Sequence, residues 1–141
     1  MNIQRLKKSV IKHEGIRYEK YKDHLGNWTI GVGHLIRDDE DFGTQPLSNE
    51  QVDKILTLDL NQAINDARQF VDESSIKEEA FEIVVEMSFQ LGLPRLLGFK
   101  NFRKSLQEAD YKSSSLHMLD SRWAKQTPNR ASALAIQMEN L

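Results

Sequence analysis

Apolar residues recur at Ile3, Leu6, Val10 and Ile11, the spacing that lines one face of an α-helix. Gly15 suits the left-handed position just past a helix, so this first helix is predicted to end near Glu14. From Tyr18 to Ile36 the pattern changes to aromatic and β-branched residues punctuated by Gly26, Gly31 and Gly33. That change predicts a small antiparallel sheet with its turn at Leu25-Gly26-Asn27. The acidic run Asp38-Asp39-Glu40-Asp41, followed by Gly43 and Pro46, reads as a loop.

Ser48 with Gln51 three residues later is a capping-box signature. Behind it Val52, Ile55, Leu56, Leu60, Ala63, Ile64, Ala67 and Phe70 hold one face of a long helix, near Asn49 to Val71. Asp72-Glu73-Ser74-Ser75 breaks it. The next helix, about Lys77 to Leu91, is apolar on nearly every side and is predicted to be buried and central. Gly92 and Pro94 end it. Short helices are predicted around Lys100 to Glu108 and Lys112 to Ala124, and Thr127-Pro128 reads as an N-cap with proline at the first helical position. The whole is an α+β pattern. A β-containing lobe of about residues 15–50 and a helical lobe of 1–14 and 72–141 are joined by the helix 49–71.

Length and composition narrow the class. A chain of 141 residues, 39% hydrophobic and 28% charged, is one soluble globular domain. It has no cysteine, which removes disulfide and thiolate chemistry. The start, Met1 to Lys8, has no continuous apolar run behind its basic residues, so no secretory signal is expected there. No stretch approaches the roughly 18 apolar residues of a membrane span, and no stable membrane association is expected. A net charge of −2 argues against a general polyanion binder, so nucleic acid is not an expected partner. The basic clusters Lys7, Lys8, Lys12 and Arg122, Lys125, Arg130 read as solvated helix faces. His13, His24, His34 and His117 lack metal-ligand spacing, and neither metal nor cofactor is expected.

The chemistry concentrates near the N-terminus. Glu14 closes a helix, and Asp23 and Thr29 follow on the hairpin. Two carboxylates and a hydroxyl on short rigid elements are what acid/base cleavage of a glycosidic bond requires. Singly, each residue has an ordinary reading: a solvated charge, a turn former and a β-branched strand residue. Gly26, Gly31 and Gly33 serve as hairpin punctuation and also allow a sugar to approach the sheet closely.

The blocks Glu14-Gly15, Tyr21-Lys22-Asp23, Gly26 and Thr29-Ile30-Gly31-Val32-Gly33-His34-Leu35 resemble the active-site region of the phage-type lysozymes. So do Met87-Ser88-Phe89-Gln90-Leu91-Gly92, Gly98-Phe99, Ser121-Arg122-Trp123 and Gln126-Thr127-Pro128-Asn129-Arg130, which extends the resemblance over nearly the whole chain. The resemblance implies a lysozyme-like α+β fold forming a single catalytic domain. It implies hydrolysis, with inversion, of the bond between N-acetylmuramic acid and N-acetylglucosamine in peptidoglycan. Glu14 would be the general acid, with Arg130 beside it as a charge-pairing partner. Asp23 and Thr29 would activate water. Leu35 and Phe89 carry over as sugar contacts by motif, Phe102 and His117 by position only, and Gln90 and Gln126 as hydrogen-bonding groups near the acid. Trp123 reads as core, and His34 is expected to pair with Asp59. Such a protein would be a monomeric endolysin of a phage or prophage. It would be held in the host cytoplasm and released to the cell wall through holes made by a holin.

Three departures from the family's pattern bear on the site. The segment between His34 and Ser48 is shorter, His13 stands where the pattern has an aspartate that helps hold the active-site arginine, and the chain stops sooner after Arg130. Two competing functions stay open: a lytic transglycosylase using Glu14 alone, and a silent wall-binding or tail-associated protein that kept the fold.

Overall fold

Eight α-helices and one three-stranded antiparallel sheet account for the chain, described over residues 1–141 by a computed structural model. Helix α1 spans Ile3–Glu14; strands β1 Arg17–Lys22, β2 Trp28–Gly31 and β3 His34–Leu35 follow. Then come α2 Asn49–Phe70, a 3-10 turn at Glu73–Ser75, α3 Glu78–Leu91 and α4 Leu93–Leu97. The chain closes with α5 Lys100–Gln107, α6 Tyr111–Leu119, α7 Arg122–Gln126 and α8 Pro128–Glu139. The fold is α+β, as the hydrophobic patterning predicts. Two compact units are distinguished, residues 2–61 and residues 62–141 with Met1. Helix α2 begins in the first and ends in the second.

In the first unit, α1 starts where the Asn2 side chain accepts from the Arg5 amide at 3.0 Å, satisfying one of the helix's orphan donors. It stops at Gly15, whose φ of +76° and N–H bond to the Ile11 carbonyl turn the chain out of the helix. Leu6 and Val10 are its buried positions. The strands lie in the order β1-β2-β3, with Lys22 opposite Trp28, Tyr21 opposite Thr29, Thr29 opposite Leu35 and Ile30 opposite His34. An irregularity in the ladder falls between Arg17 and Tyr21. Helix α1 falls in the same unit as the hairpin, and its Lys7 Nζ bonds Asp53 on α2 at 2.9 Å.

The capping box forms as a reciprocal pair, with the Ser48 amide on Gln51 Oε1 at 2.8 Å and the Gln51 amide on Ser48 Oγ at 3.1 Å. Just ahead of it the Leu47 amide bonds the Tyr18 carbonyl, and Tyr18 Oη donates to Asn49 Oδ1, both at 2.8 Å. The long loop is thus tied to β1 at the point where α2 begins.

In the second unit, α3 is buried continuously from Ala80 to Ser88, so its lack of a polar face has the predicted consequence. Two elements differ from expectation. Helix α3 ends at Leu91 with Gly92 as its cap, as predicted, but a further short helix follows, α4, with Pro94 in its first turn where its missing N–H is not needed. The helix expected over Lys112 to Ala124 is two helices. α6 ends at Leu119, Asp120 leaves helical geometry, and Ser121 caps α7 through the Ala124 amide at 3.1 Å. Thr127 stands at the N-cap of α8 but makes no side-chain cap. Its hydroxyl turns back to the Trp123 carbonyl at 3.1 Å instead.

Candidate active site

Glu14 is the last residue of α1, delivered there by the glycine that ends the helix. It is half-buried, and its carboxyl group lies against the backbone of Gly33. A Cβ at Gly33 would come within 2.5 Å of Glu14 Oε2, and residue 33 has φ +64°, a conformation that favours glycine. Gly33 is therefore part of the bed that receives the Glu14 carboxylate. Glycine punctuation alone did not point to that role.

Asp23 sits where β1 runs into the turn. Its Oδ1 accepts from the Leu25 amide at 2.9 Å and the Asn27 amide at 2.8 Å. The Asn27 amide first, then the Leu25 amide, nearby His24 and the Asn27 side chain, hold the Asp23 carboxyl below the usual aspartate range against the opposing effect of desolvation. Asp23 is thus favoured as an anion. Thr29 is buried, and its hydroxyl donates to the Asn27 carbonyl at 3.0 Å. Having committed its proton, Oγ1 offers lone pairs only. One residue's backbone, that of Asn27, orients both functional side chains, its N–H on Asp23 and its carbonyl on Thr29. Nothing about an asparagine in a turn singles out that role beforehand.

Leu35, opposite Thr29 in the ladder, is 54% exposed, and period-two alternation puts the two side chains on one face of the sheet. On the other face His34 pairs with Asp59, as the resemblance implies, at 2.7 Å through Nδ1. A second carboxylate was not expected: Glu40, from the acidic run, meets Nε2 at 2.9 Å. Both ring nitrogens face groups that only accept, so both must carry protons. Hydrogen bonding to Asp59 raises the His34 pKa above the usual range, against its burial, and Glu40 adds in the same direction. Burial opposes ionisation of Glu40, yet the Arg37 amide and His34 outweigh it and lower its pKa. With both its nitrogens engaged, His34 is no metal ligand, and no group of His, Asp and Glu side chains is arranged to hold a metal ion.

The resemblance blocks from Tyr21 to Leu35 therefore sit on a hairpin in which one residue, Asn27, hydrogen-bonds both a carboxylate and a hydroxyl. A family model described as phage lysozyme matches residues 11–137. The chain belongs to the phage lysozyme family. Among its relatives is a probable T4-type lysozyme 1 of Dictyostelium discoideum, 27% identical, the match covering 94% of this chain and 92% of the relative. A probable T4-type lysozyme 2 of the same organism is also 27% identical, with 88% of each chain covered. Peptidoglycan hydrolase gp36 of Pseudomonas phage phiKMV is 26% identical over 94% of this chain, which spans 15% of that larger protein.

In this lysozyme-family chain the remaining candidate residues all fall in the second unit, and they divide by burial. Phe102 is only 1% exposed and packs against Phe70 and Phe99 at centroid distances of 5.8 and 6.2 Å. It is a core residue; the expectation that it touches sugar is corrected, because a side chain so enclosed has no surface to offer. Phe89 and His117 are half-buried. Gln90 is spent internally, accepting from Trp123 Nε1 at 2.8 Å and donating to Thr127 Oγ1 at 3.4 Å. Trp123 is core, as expected, and Gln90 satisfies its one polar atom. Gln126 is exposed and accepts from Arg95 at 3.2 Å. Arg130 is buried beside Glu86, with Nη2 at 3.5 Å from Oε1. Glu86 on α3 is a partner that apolar patterning gave no reason to expect.

Proposed function

We propose that this protein hydrolyses peptidoglycan, cutting the β-1,4 bond between N-acetylmuramic acid and N-acetylglucosamine with inversion at the anomeric carbon. The observation that carries this reading is the pairing of Asp23 and Thr29 through Asn27. A water held there donates one O–H to the Asp23 carboxylate and the other to Thr29 Oγ1, which directs its lone pair away from both. That lone pair attacks the anomeric carbon, Asp23 takes the proton, and Glu14 gives its own proton to the departing oxygen. Regeneration needs only return of the proton from Asp23 to Glu14 through solvent. An inverting enzyme keeps its carboxyls about 6.5–9.5 Å apart to admit that water. Family membership and the names of the relatives support the substrate class.

In this reading Leu35 contributes apolar surface to a sugar. The biological role that fits is lysis of a bacterium by a phage or prophage. No helix is long and apolar enough to cross a membrane, and a holin supplies the way to the wall. A transglycosylase is the competing chemistry, but it has no use for Asp23 and Thr29.

Digestion of purified peptidoglycan by wild type, Glu14→Gln and Asp23→Asn, with products read by mass spectrometry, tests the proposal. Reducing muramic ends, absent in both variants, are expected. Anhydromuramic ends surviving Asp23→Asn would instead make the protein a transglycosylase, and no soluble product from wild type would reduce it to a binding protein. The configuration of the newly formed anomer, followed by NMR, decides inversion.

A further inference from the structure

The hairpin has a second exposed surface that the hydrolytic reading does not use. Trp28 is 47% exposed, and the ammonium groups of Lys20 and Lys22 stand 5.2 and 5.1 Å from its ring centroid. Neither lysine has a carboxylate partner. Lys22 lies directly opposite Trp28 in the ladder, and Lys20, two residues earlier on β1, shares its face. Thr29 follows Trp28 in the strand and pairs with Tyr21 and Leu35, so it points to the opposite side of the sheet. The Trp28 surface is consequently separate from the water-activating pair.

We propose that Trp28, Lys20 and Lys22 form a docking surface for an anionic envelope glycan, a saccharide polymer bearing phosphate groups. The C–H face of a pyranose packs on the part of the indole that the lysines leave exposed. The two ammoniums held over that ring, neither with a carboxylate partner, receive the phosphate. Lysine acts on a phosphate as a compact point charge. A lipid surface fits the same charges less well. Leu25 and Trp28 are the exposed apolar side chains at this end of the hairpin, short of the apolar face that interfacial insertion needs. Moreover, the Ile36 amide bonds the Trp28 carbonyl at 2.9 Å, so the loop carrying exposed Asp38, Asp39 and Asp41 leaves the sheet beside the patch. A flat anionic bilayer would meet those acids together with the lysines; a single polymer chain need not. That the protein encounters such a polymer rests on the cell-wall reading above.

The full chain carrying Glu14→Gln, titrated calorimetrically with soluble phosphomannan and with unphosphorylated mannan, tests the proposal without turnover. Its failure therefore leaves the hydrolytic reading standing, and failure of hydrolysis leaves this measurement valid. Phosphomannan is expected to bind, mannan more weakly, and binding to weaken as salt rises. Adding Lys20→Gln with Lys22→Gln is expected to lower phosphomannan affinity about tenfold or more and flatten the salt dependence. Trp28→Ala is expected to weaken both glycans. The lysine pair is exposed, so its replacement reports even if Trp28→Ala unfolds. Absence of phosphomannan binding, or binding indifferent to the lysine replacements, overturns the proposal. Capture of phosphatidylglycerol vesicles in place of phosphomannan would overturn it in favour of a lipid site.

Discussion

Gly33 lies against Glu14 so closely that a single methyl group at residue 33 would meet Oε2 at 2.5 Å and Cδ at 2.9 Å. The obstructing atoms belong to the end of a flexible side chain, so Gly33→Ala moves the carboxylate rather than unfolding the protein. A non-glycine residue at φ +64° adds about 1–2 kcal/mol of backbone cost. Denaturant titration should register that loss, and hydrolysis of peptidoglycan should fall by about 10²-fold, the scale of a misplaced catalytic group. An alanine variant as active as wild type would remove Gly33 from the site.

Thr29 gives its proton to the Asn27 carbonyl and keeps lone pairs for water. Thr29→Ser retains that arrangement and should retain most activity. Thr29→Val has nearly the same shape without the hydroxyl and should lose about 10²-fold or more in kcat, within the range of a proton-handling group. Equal rates for the two variants would show that packing, not the hydroxyl, is what the position supplies.

Asp23 is held ionised by the Asn27 and Leu25 amides. Its folded pKa lies below the ordinary value near 3.9. The stabilisation from this shift is therefore complete above the unfolded pKa and disappears as pH falls through the folded one. A carboxyl-carbon NMR titration should give an Asp23 inflection below about 3.9. An inflection above that value would mean that the two amides do not favour the anion and would undercut its role as base.

The His34 clasp has the opposite sign. Its folded pKa is raised, so the stabilisation is complete below about 6.5, the unfolded value, and is lost as pH rises through the folded one. Asp59→Asn should cost about 1.5–3 kcal/mol near pH 5.5, the worth of a hydrogen bond to a charged group. The cost should shrink as pH rises through the folded His34 pKa, where wild-type His34 itself loses its charge. Unfolding curves of both proteins across that range check the sign. A penalty that grew with pH would contradict the imidazolium assignment.

Gln90 accepts the indole N–H of buried Trp123. Gln90→Leu leaves that donor without its acceptor, at a cost of about 1–3 kcal/mol. Gln90→Glu keeps an acceptor and should cost less. Thermal unfolding monitored by tryptophan fluorescence would order the three proteins wild type, Glu, Leu; a leucine variant as stable as wild type would show that the bond carries no net weight.

Local order along the chain was enough to determine the elements that shape the hairpin. The apolar spacing before Glu14, the glycine after it, the Ser48/Gln51 box and the all-round apolar stretch ending at Leu91 each correspond to an observed helix or helix end. These signals are short-range, set by backbone conformation and by which face must leave water. Family membership was legible for the same reason, because the Glu14 to Leu35 blocks are contiguous. Tertiary structure alone decided which atoms meet. It sent Glu40 from a solvated-looking loop to His34, put Glu86 of an apolar helix beside Arg130, turned Thr127 from cap to partner of Gln90, and enclosed Phe102 in the core. In each case the outcome depends on a contact that local sequence signals do not encode. There burial and hydrogen-bond satisfaction outweigh the preference that any single residue carries.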